Sequence, residues 1–296
     1  MKKNMKMPNN FAIFILSNGR PDNIRTLTTL KLAGYTGKWY IICDNEDARL
    51  NEYVERYRDK VIVFDKQKEF ERADNADLTA DKRVILYARN ASFEIAKKLG
   101  LKYFMELDDD YTSFHFRYNS AMEFITRQVL VRNIDRVITL MLDFYESVPN
   151  LLTLAMMQGG DFVGGYQNDI SRRRFMKRKA MNSFICSPDR YFQFVGRVNE
   201  DVNTYCVLGM RGKLLMSVPQ VYLNQAQTQF QKGGMSEMYK DYGTYMKSFY
   251  TVMYCPAFVK LNMFGMEHTR NPKRIHHNIT WKNAVPKILS EKYRKI

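Results

Sequence analysis

Tyr103-Phe104-Met105-Glu106-Leu107-Asp108-Asp109-Asp110-Tyr111 decides the reading of this chain. An apolar run ends abruptly in three consecutive carboxylates. The pattern predicts a buried strand over Tyr103 to Leu107 that delivers a dense negative cluster to its C-terminal edge. Three adjacent carboxylates repel one another unless a cation or a solvated loop relieves them. If the extended course continues, Asp108 and Asp110 point the same way and offer oxygen ligands to one hard divalent ion. Mg²⁺ and Mn²⁺ tolerate an incomplete protein cage and are commonly shared with a diphosphate. The plainer alternative is a polar turn, because aspartate is frequent in turns.

Working outward, the residues before this stretch alternate between the two periodicities. Phe11 to Leu16 is a short β-favouring run. Pro21 suits the first turn of a helix, Ile24, Leu27, Leu30 and Ala33 recur at helical spacing, and Gly34 suits its stop. Trp39 to Cys43 reads as a strand ending at Asp44, Glu46 to Arg58 as a helix, and Val61 to Phe64 as a strand. A polar loop follows, then a helix over Asp81 to Leu99 stopped by Gly100. This βαβαβαβ order predicts an α/β fold with a mostly parallel central sheet and helices on both sides. Ligands of such sheets bind beyond the carboxyl ends of the strands. Ser17, Asn18, Gly19 and Arg20, then Asp44, then Asp108 to Asp110 should therefore meet at one edge.

The second half is less regular. It suggests a helix over Ile125 to Tyr145, strands over Leu151 to Met157, Asn182 to Cys186, Leu214 to Val218 and Phe258 to Asn262, and a helix over Glu237 to Met253. Neither repeats nor low-complexity tracts interrupt the chain. The expected organisation is one domain over 1–296. Residues from about 8 to 112 form a nucleotide-binding half, and those from about 113 to 296 an acceptor and catalytic half.

The 296 residues carry 46 Lys and Arg against 31 Asp and Glu, a formal net charge of +15. Such an excess favours polyanionic partners, nucleic acid and nucleotide-sugars among them. It is concentrated in Arg172, Arg173, Arg174, Lys177, Arg178 and Lys179, and again after Arg270. A solvated face is the plainer account of each run taken singly. No apolar stretch reaches membrane-spanning length, and Phe11 to Leu16 is too short for a signal-peptide core. Cys43, Cys186, Cys206 and Cys255 are scattered, which fits neither a disulfide framework nor a metal knuckle and suggests the cytoplasm.

Other candidates follow from chemistry. Asp44 is placed to accept hydrogen bonds from a ribose or base, and Arg20 and Arg89 to face phosphate or base. Salt bridges and turn formation are the plainer roles. Asn199-Glu200-Asp201-Val202-Asn203 supplies a second acidic site. A reaction in which a hydroxyl attacks an anomeric carbon needs a carboxylate to take its proton. Helix capping by Asp201 is the competing role. His276-His277 offers one further metal ligand, because neighbours on a strand face opposite ways. Lys232-Gly233-Gly234-Met235 suits a loop that meets a diphosphate ahead of a helix. The chain lacks GxxxxGK[ST], a GxGxxG after a strand, HExxH and GxSxG, which argues against P-loop enzymes, dehydrogenases, zinc proteases and α/β-hydrolases.

These segments resemble a GT-A glycosyltransferase, and more specifically a phage-type group related to TET/JBP-associated glycosyltransferases. The resemblance is carried by Ser17-Asn18-Gly19-Arg20-Pro21-Asp22-Asn23, Gly34-Tyr35-Thr36-Gly37, Tyr40-Ile41-Ile42-Cys43-Asp44, Glu106-Leu107-Asp108-Asp109-Asp110-Tyr111, Asn199 to Tyr205, Lys232-Gly233-Gly234-Met235 and His276 to Trp281. Cys43-Asp44-Asn45-Glu46 departs from the more acidic run expected there. The resemblance implies a GT-A-like fold, a UDP-linked sugar donor and a 5-hydroxymethylpyrimidine in double-stranded phage DNA as acceptor, in the host cytoplasm. It implies Mn²⁺ or Mg²⁺ on Asp108 and Asp110, completed by His276 or His277, with Asp44 facing uridine. Asp109, Lys232, Gly233 and Gly234 join the donor site. Asp201, and after it Glu200, is the base if configuration inverts. The rivals are the same chemistry on a glycan, lipid or protein, a metal-dependent nuclease or nucleotidyltransferase, and a DNA-binding protein without catalysis.

Overall fold

The computed structural model describes residues 6–172, 179–226, 235–243, 245–264 and 274–284. Its N-terminal half follows the expected alternation, with one further helix, Lys66–Arg72, where a polar loop was expected. Strand β1 (Phe11–Leu16) leads to helix α1 (Arg25–Leu32), then β2 (Lys38–Asp44), α2 (Leu50–Tyr57), β3 (Val61–Phe64), α3 (Lys66–Arg72), α4 (Leu86–Lys98) and β4 (Tyr103–Asp108). After the acidic turn come β5 (Tyr111–Tyr118), β6 (Phe124–Leu130), α5 (Ile134–Ser147), β7 (Leu151–Gln158), β8 (Ser183–Cys186) and α6 (Glu200–Met210). The last elements are β9 (Leu214–Gln225), α7 (Met235–Tyr242), α8 (Met246–Tyr254), β10 (Val259–Phe264), β11 (Arg274–Ile279) and α9 (Trp281–Ala284).

One mixed sheet of nine strands runs in the order β3-β2-β1-β4-β8-β7-β9-β5-β6, and β10 and β11 pair separately. Strands β1 to β4 are parallel to one another, with Leu16 opposite both Ile42 and Asp108. Every residue of β1 is buried, as expected of a parallel strand covered on both faces. Its alternation builds two cores. Phe11, Ile13 and Ile15 pack with Ile24, Leu30, Ile134 and Ile138, on the side of α1 and α5. Ala12, Phe14 and Leu16 pack with Leu86, Phe93, Val202 and Cys206, on the side of α4 and α6. The chain leaves β1 for β2 on one side and reaches β4 on the other, so a crevice opens at their carboxyl ends.

Several expectations are corrected, most of them in the second half. The expected helix over Ile125 to Tyr145 is a strand and then a helix. Phe124–Leu130 pairs with β5, and Asn133 caps α5 by accepting from the Arg136 amide at 3.0 Å. The helix expected from Asp81 begins only at Leu86, because Asp81 folds back onto the Arg83 amide and its carbonyl accepts from Arg197. The helix over Glu237 to Met253 is interrupted at Gly243, whose φ of 84° suits glycine, so α7 and α8 are separate. Strand β9 extends well past Val218. It pairs with β7 up to that residue, shifts register, and continues against β5 as well. Pro219 lies in the gap, where it removes a ladder donor.

Candidate functional site

The carboxyl ends of β1, β2, β3 and β4 and the start of α6 line one cleft of about 360 Å³. The three carboxylates after β4 are not equivalent. Asp109 is tied to the loop after β1: the Ser17 hydroxyl donates to it at 2.6 Å and the Arg20 guanidinium at 2.9 Å. Tyr53 Oη lies 2.7 Å from Ser17 Oγ and accepts from the Arg20 amide at 2.7 Å. Thr26, in the first turn of α1, donates its hydroxyl to the Asp108 carbonyl at 2.6 Å and accepts from the Tyr111 amide at 3.0 Å. These bonds fix the acidic turn against α1. Asp110 is only 8% exposed, and its Oδ1 has no hydrogen-bond partner among the described residues. Burial, then the neighbouring Asp108 and Asp109, push its pKa up to about 7.

Arg89 is the electrostatic centre beneath the cleft. Its guanidinium donates to Glu200 Oε1 at 2.9 Å, Asp108 Oδ1 at 3.1 Å and Glu106 Oε2 at 3.4 Å, and it is 1% exposed. The Phe184 and Phe194 rings lie 4.8 and 5.7 Å from it. One cation thus faces three carboxylates. Burial raises Glu106 to about 8, with Arg89 opposing, and burial also raises Asp108. The sequence suggested a donor contact for Arg89. Arg89 does line the cleft, and it also links β4 to α6.

Helix α6 begins at Glu200, after Asn199 in a left-handed conformation with φ 62°. Asn199 occupies the cap position and makes no side-chain cap bond. Asp201 Oδ1 accepts from the Val202 amide at 2.7 Å, while the residue also lines the cleft. Glu200 and Asp201 are both buried, and burial raises both carboxyls. Their mutual repulsion adds to the rise at Glu200, and Arg89 opposes it. Two acidic pairs from distant parts of the chain, 108/110 and 200/201, therefore converge on one crevice with a shared arginine between them. The family model described as TET-Associated Glycosyltransferase matches residues 11–234. The chain belongs to this family. It is a glycosyltransferase.

Among solved structures, glucosyl-3-phosphoglycerate synthase from Mycobacterium tuberculosis is similar at a TM-score of 0.45 and 8% identity, over 92% of this chain and 90% of that one. That protein was crystallised with Mn²⁺, UDP-glucose and phosphoglyceric acid. No curated protein matches the chain.

In this TET-associated glycosyltransferase, Ser17, Asn18, Arg20, Asp44 and Asp109 all line the cleft. Asp44 accepts from Asn18 Nδ2 at 2.9 Å and pairs with Lys66 Nζ at 3.3 Å. The Gly19 amide donates to Asp47 at 2.7 Å, which shapes the loop. His276 and His277 do not line the acidic cleft. They lie on β11, whose hairpin with β10 stands apart from the main sheet, and they line a second cavity. Among the described residues no three His, Cys, Asp or Glu converge on a metal position. Lys179 pairs with Asp161 and lines that second cavity too, while Arg172 is exposed. Arg173, Arg174, Lys177, Arg178, Lys232, Gly233 and Gly234 lie outside the described residues. Lys66, Gln225 and Lys247 line the cleft and escaped the sequence reading. Lys66 was within reach of it, being two residues past the end of β3. Gln225 and Lys247 carry no local signal.

Proposed function

We propose that this glycosyltransferase moves a sugar from a UDP-linked donor to the hydroxymethyl group of a 5-hydroxymethylpyrimidine in DNA. The observation that carries the reading is the convergence of Asp108 and Asp110 with Glu200 and Asp201 on one cleft. Asp44 and Asn18, held together, receive the nucleoside at the β2 edge. Asp108 and Asp110 hold a divalent ion, Mn²⁺ or Mg²⁺. The buried, unpartnered Asp110 Oδ1 fits a cation, and two carboxylates suit an ion whose shell a diphosphate completes. When bound, that ion supplies charge neutralisation for the leaving diphosphate.

The chain's own residues supply the rest. Asp201 takes the proton of the acceptor hydroxyl as its oxygen bonds to the anomeric carbon. The bond from that carbon to the diphosphate oxygen breaks, and its electron pair leaves with the diphosphate. This is an inverting displacement. Arg89 holds Glu200 and Asp108 in fixed relation, so the base side and the diphosphate side keep their spacing. The DNA acceptor is supported by the net charge of +15 and by the cationic run that starts at the exposed Arg172. The test is a panel of sugar nucleotides with Mn²⁺, with and without hydroxymethylated duplex. Transfer to the modified duplex alone is expected. Transfer to a glycan, lipid or protein with none to DNA would overturn the acceptor.

A further inference from the structure

The second cavity has a volume of about 570 Å³, within the range of small-molecule sites. It is walled by α6 through Tyr205, by β9 through Met216 and Ser217, and by the β10–β11 hairpin. It adjoins the donor cleft at two places. Asn199 on the cleft wall lies 3.4 Å, Nδ2 to Nδ1, from His277 on the cavity wall. Gln158 and Met157, consecutive on β7, line the cleft and the cavity respectively.

Its lining is flat and amphipathic. Tyr205 and Trp281 stack with ring centroids 5.5 Å apart at 22°. His276 and His277 have centroids 4.2 Å apart. Asn278 adds an amide from an exposed strand position. The His277 ring is partly buried, with Nδ1 toward the Asn199 amide. A neutral imidazole has one donor and one acceptor, and an asparagine amide has both. Planar rings beside such groups match a planar heterocycle with alternating donors and acceptors on its edge.

We propose that this second cavity is the acceptor subsite and that it receives a single pyrimidine base extruded from the duplex. The proposal rests on the DNA reading above. A base stacked in a helix cannot bring its hydroxymethyl group to Asp201, which is 7% exposed inside the cleft. An extruded base seated in the adjoining cavity can present that group across the Asn199–His277 wall. Enzymes that act on a base pay its unstacking and read it by stacking and edge hydrogen bonds.

The experiment uses the full chain and a duplex carrying one 5-hydroxymethylcytosine beside a 2-aminopurine, whose fluorescence rises when its neighbour unstacks. Asn278→Trp fills the cavity from an exposed position. Wild type should raise the fluorescence. Asn278→Trp should not, and its kcat/KM for the duplex should fall at least tenfold, with donor Kd and melting temperature retained. Asn278→Ala removes the amide without filling the cavity, so it should keep the fluorescence rise and lose less kcat/KM than Asn278→Trp. Equal fluorescence and transfer by Asn278→Trp and wild type would overturn the subsite while leaving the DNA reading intact. Donor turnover by wild type without any transfer to hydroxymethylated duplex would overturn both.

Discussion

Asp110 presents a buried carboxylate oxygen without a hydrogen-bond partner among the described residues, while Asp109 has both oxygens engaged by Ser17 and Arg20. Neighbours in one acidic triplet thus differ, one with a carboxylate oxygen left unpartnered and the other tying down a loop. Asp110→Asn is expected to lower sugar transfer by more than the roughly 10–100-fold that outer-shell changes cost at metal sites. Its melting temperature should hold or rise, because a neutral amide replaces an acid that burial already opposes. Near wild-type turnover with unchanged Mn²⁺ dependence would remove the metal from Asp110. Asp201 and Glu200 separate in a similar way. Asp201→Asn should cost roughly a hundredfold or more in turnover with stability nearly intact. Transfer at the wild-type rate would place the base elsewhere.

At the scale of elements, Arg89 on α4 joins the end of β4 to the start of α6. Surface ion pairs contribute little, but this cation is buried among three carboxylates and two aromatic rings. Removing it leaves those carboxylates uncompensated, whereas neutralising one of them relieves an excess of negative charge. Arg89→Met should therefore destabilise the fold by about 3–5 kcal/mol, and Glu200→Gln by far less. Chemical denaturation of both variants decides the point. Equal losses would show that Arg89 is not the shared counter-charge.

For the molecule as a whole, the buried acids make stability depend on pH. Asp110 rises from 3.8 to about 7 and Glu106 from 4.5 to about 8 on folding. Between about pH 4 and 8 the folded chain therefore holds more protons than the unfolded one, and stability falls as pH rises through that window. Melting in chelator should drop from pH 5 to pH 8, and Mn²⁺ should restore it at pH 8. A flat profile would contradict the burial of these acids. The cationic run gives a second global prediction. Charge reversal of Arg172, Arg173 and Arg174 should weaken duplex binding and flatten its salt dependence, because fewer counterions are released. An unchanged salt slope would mark the run as solvated surface.

The sequence alone determined the alternating N-terminal half, because buried parallel strands read as continuous apolar runs and their carboxyl ends carry the polar residues. Ser17, Asn18, Arg20, Asp44 and the acidic triplet were legible for that reason. Glu200 and Asp201 were legible as chemistry but not as neighbours of Asp108, since 92 residues and the packing of α6 against α4 lie between. Only the tertiary structure gave Arg89 its three carboxylates, placed the histidines of β11 in the second cavity, and turned Phe124–Leu130 into a strand. Each of these depends on which distant element supplies the partner. Local periodicity carries no record of that choice, because it is made by burial and charge between segments far apart in the chain.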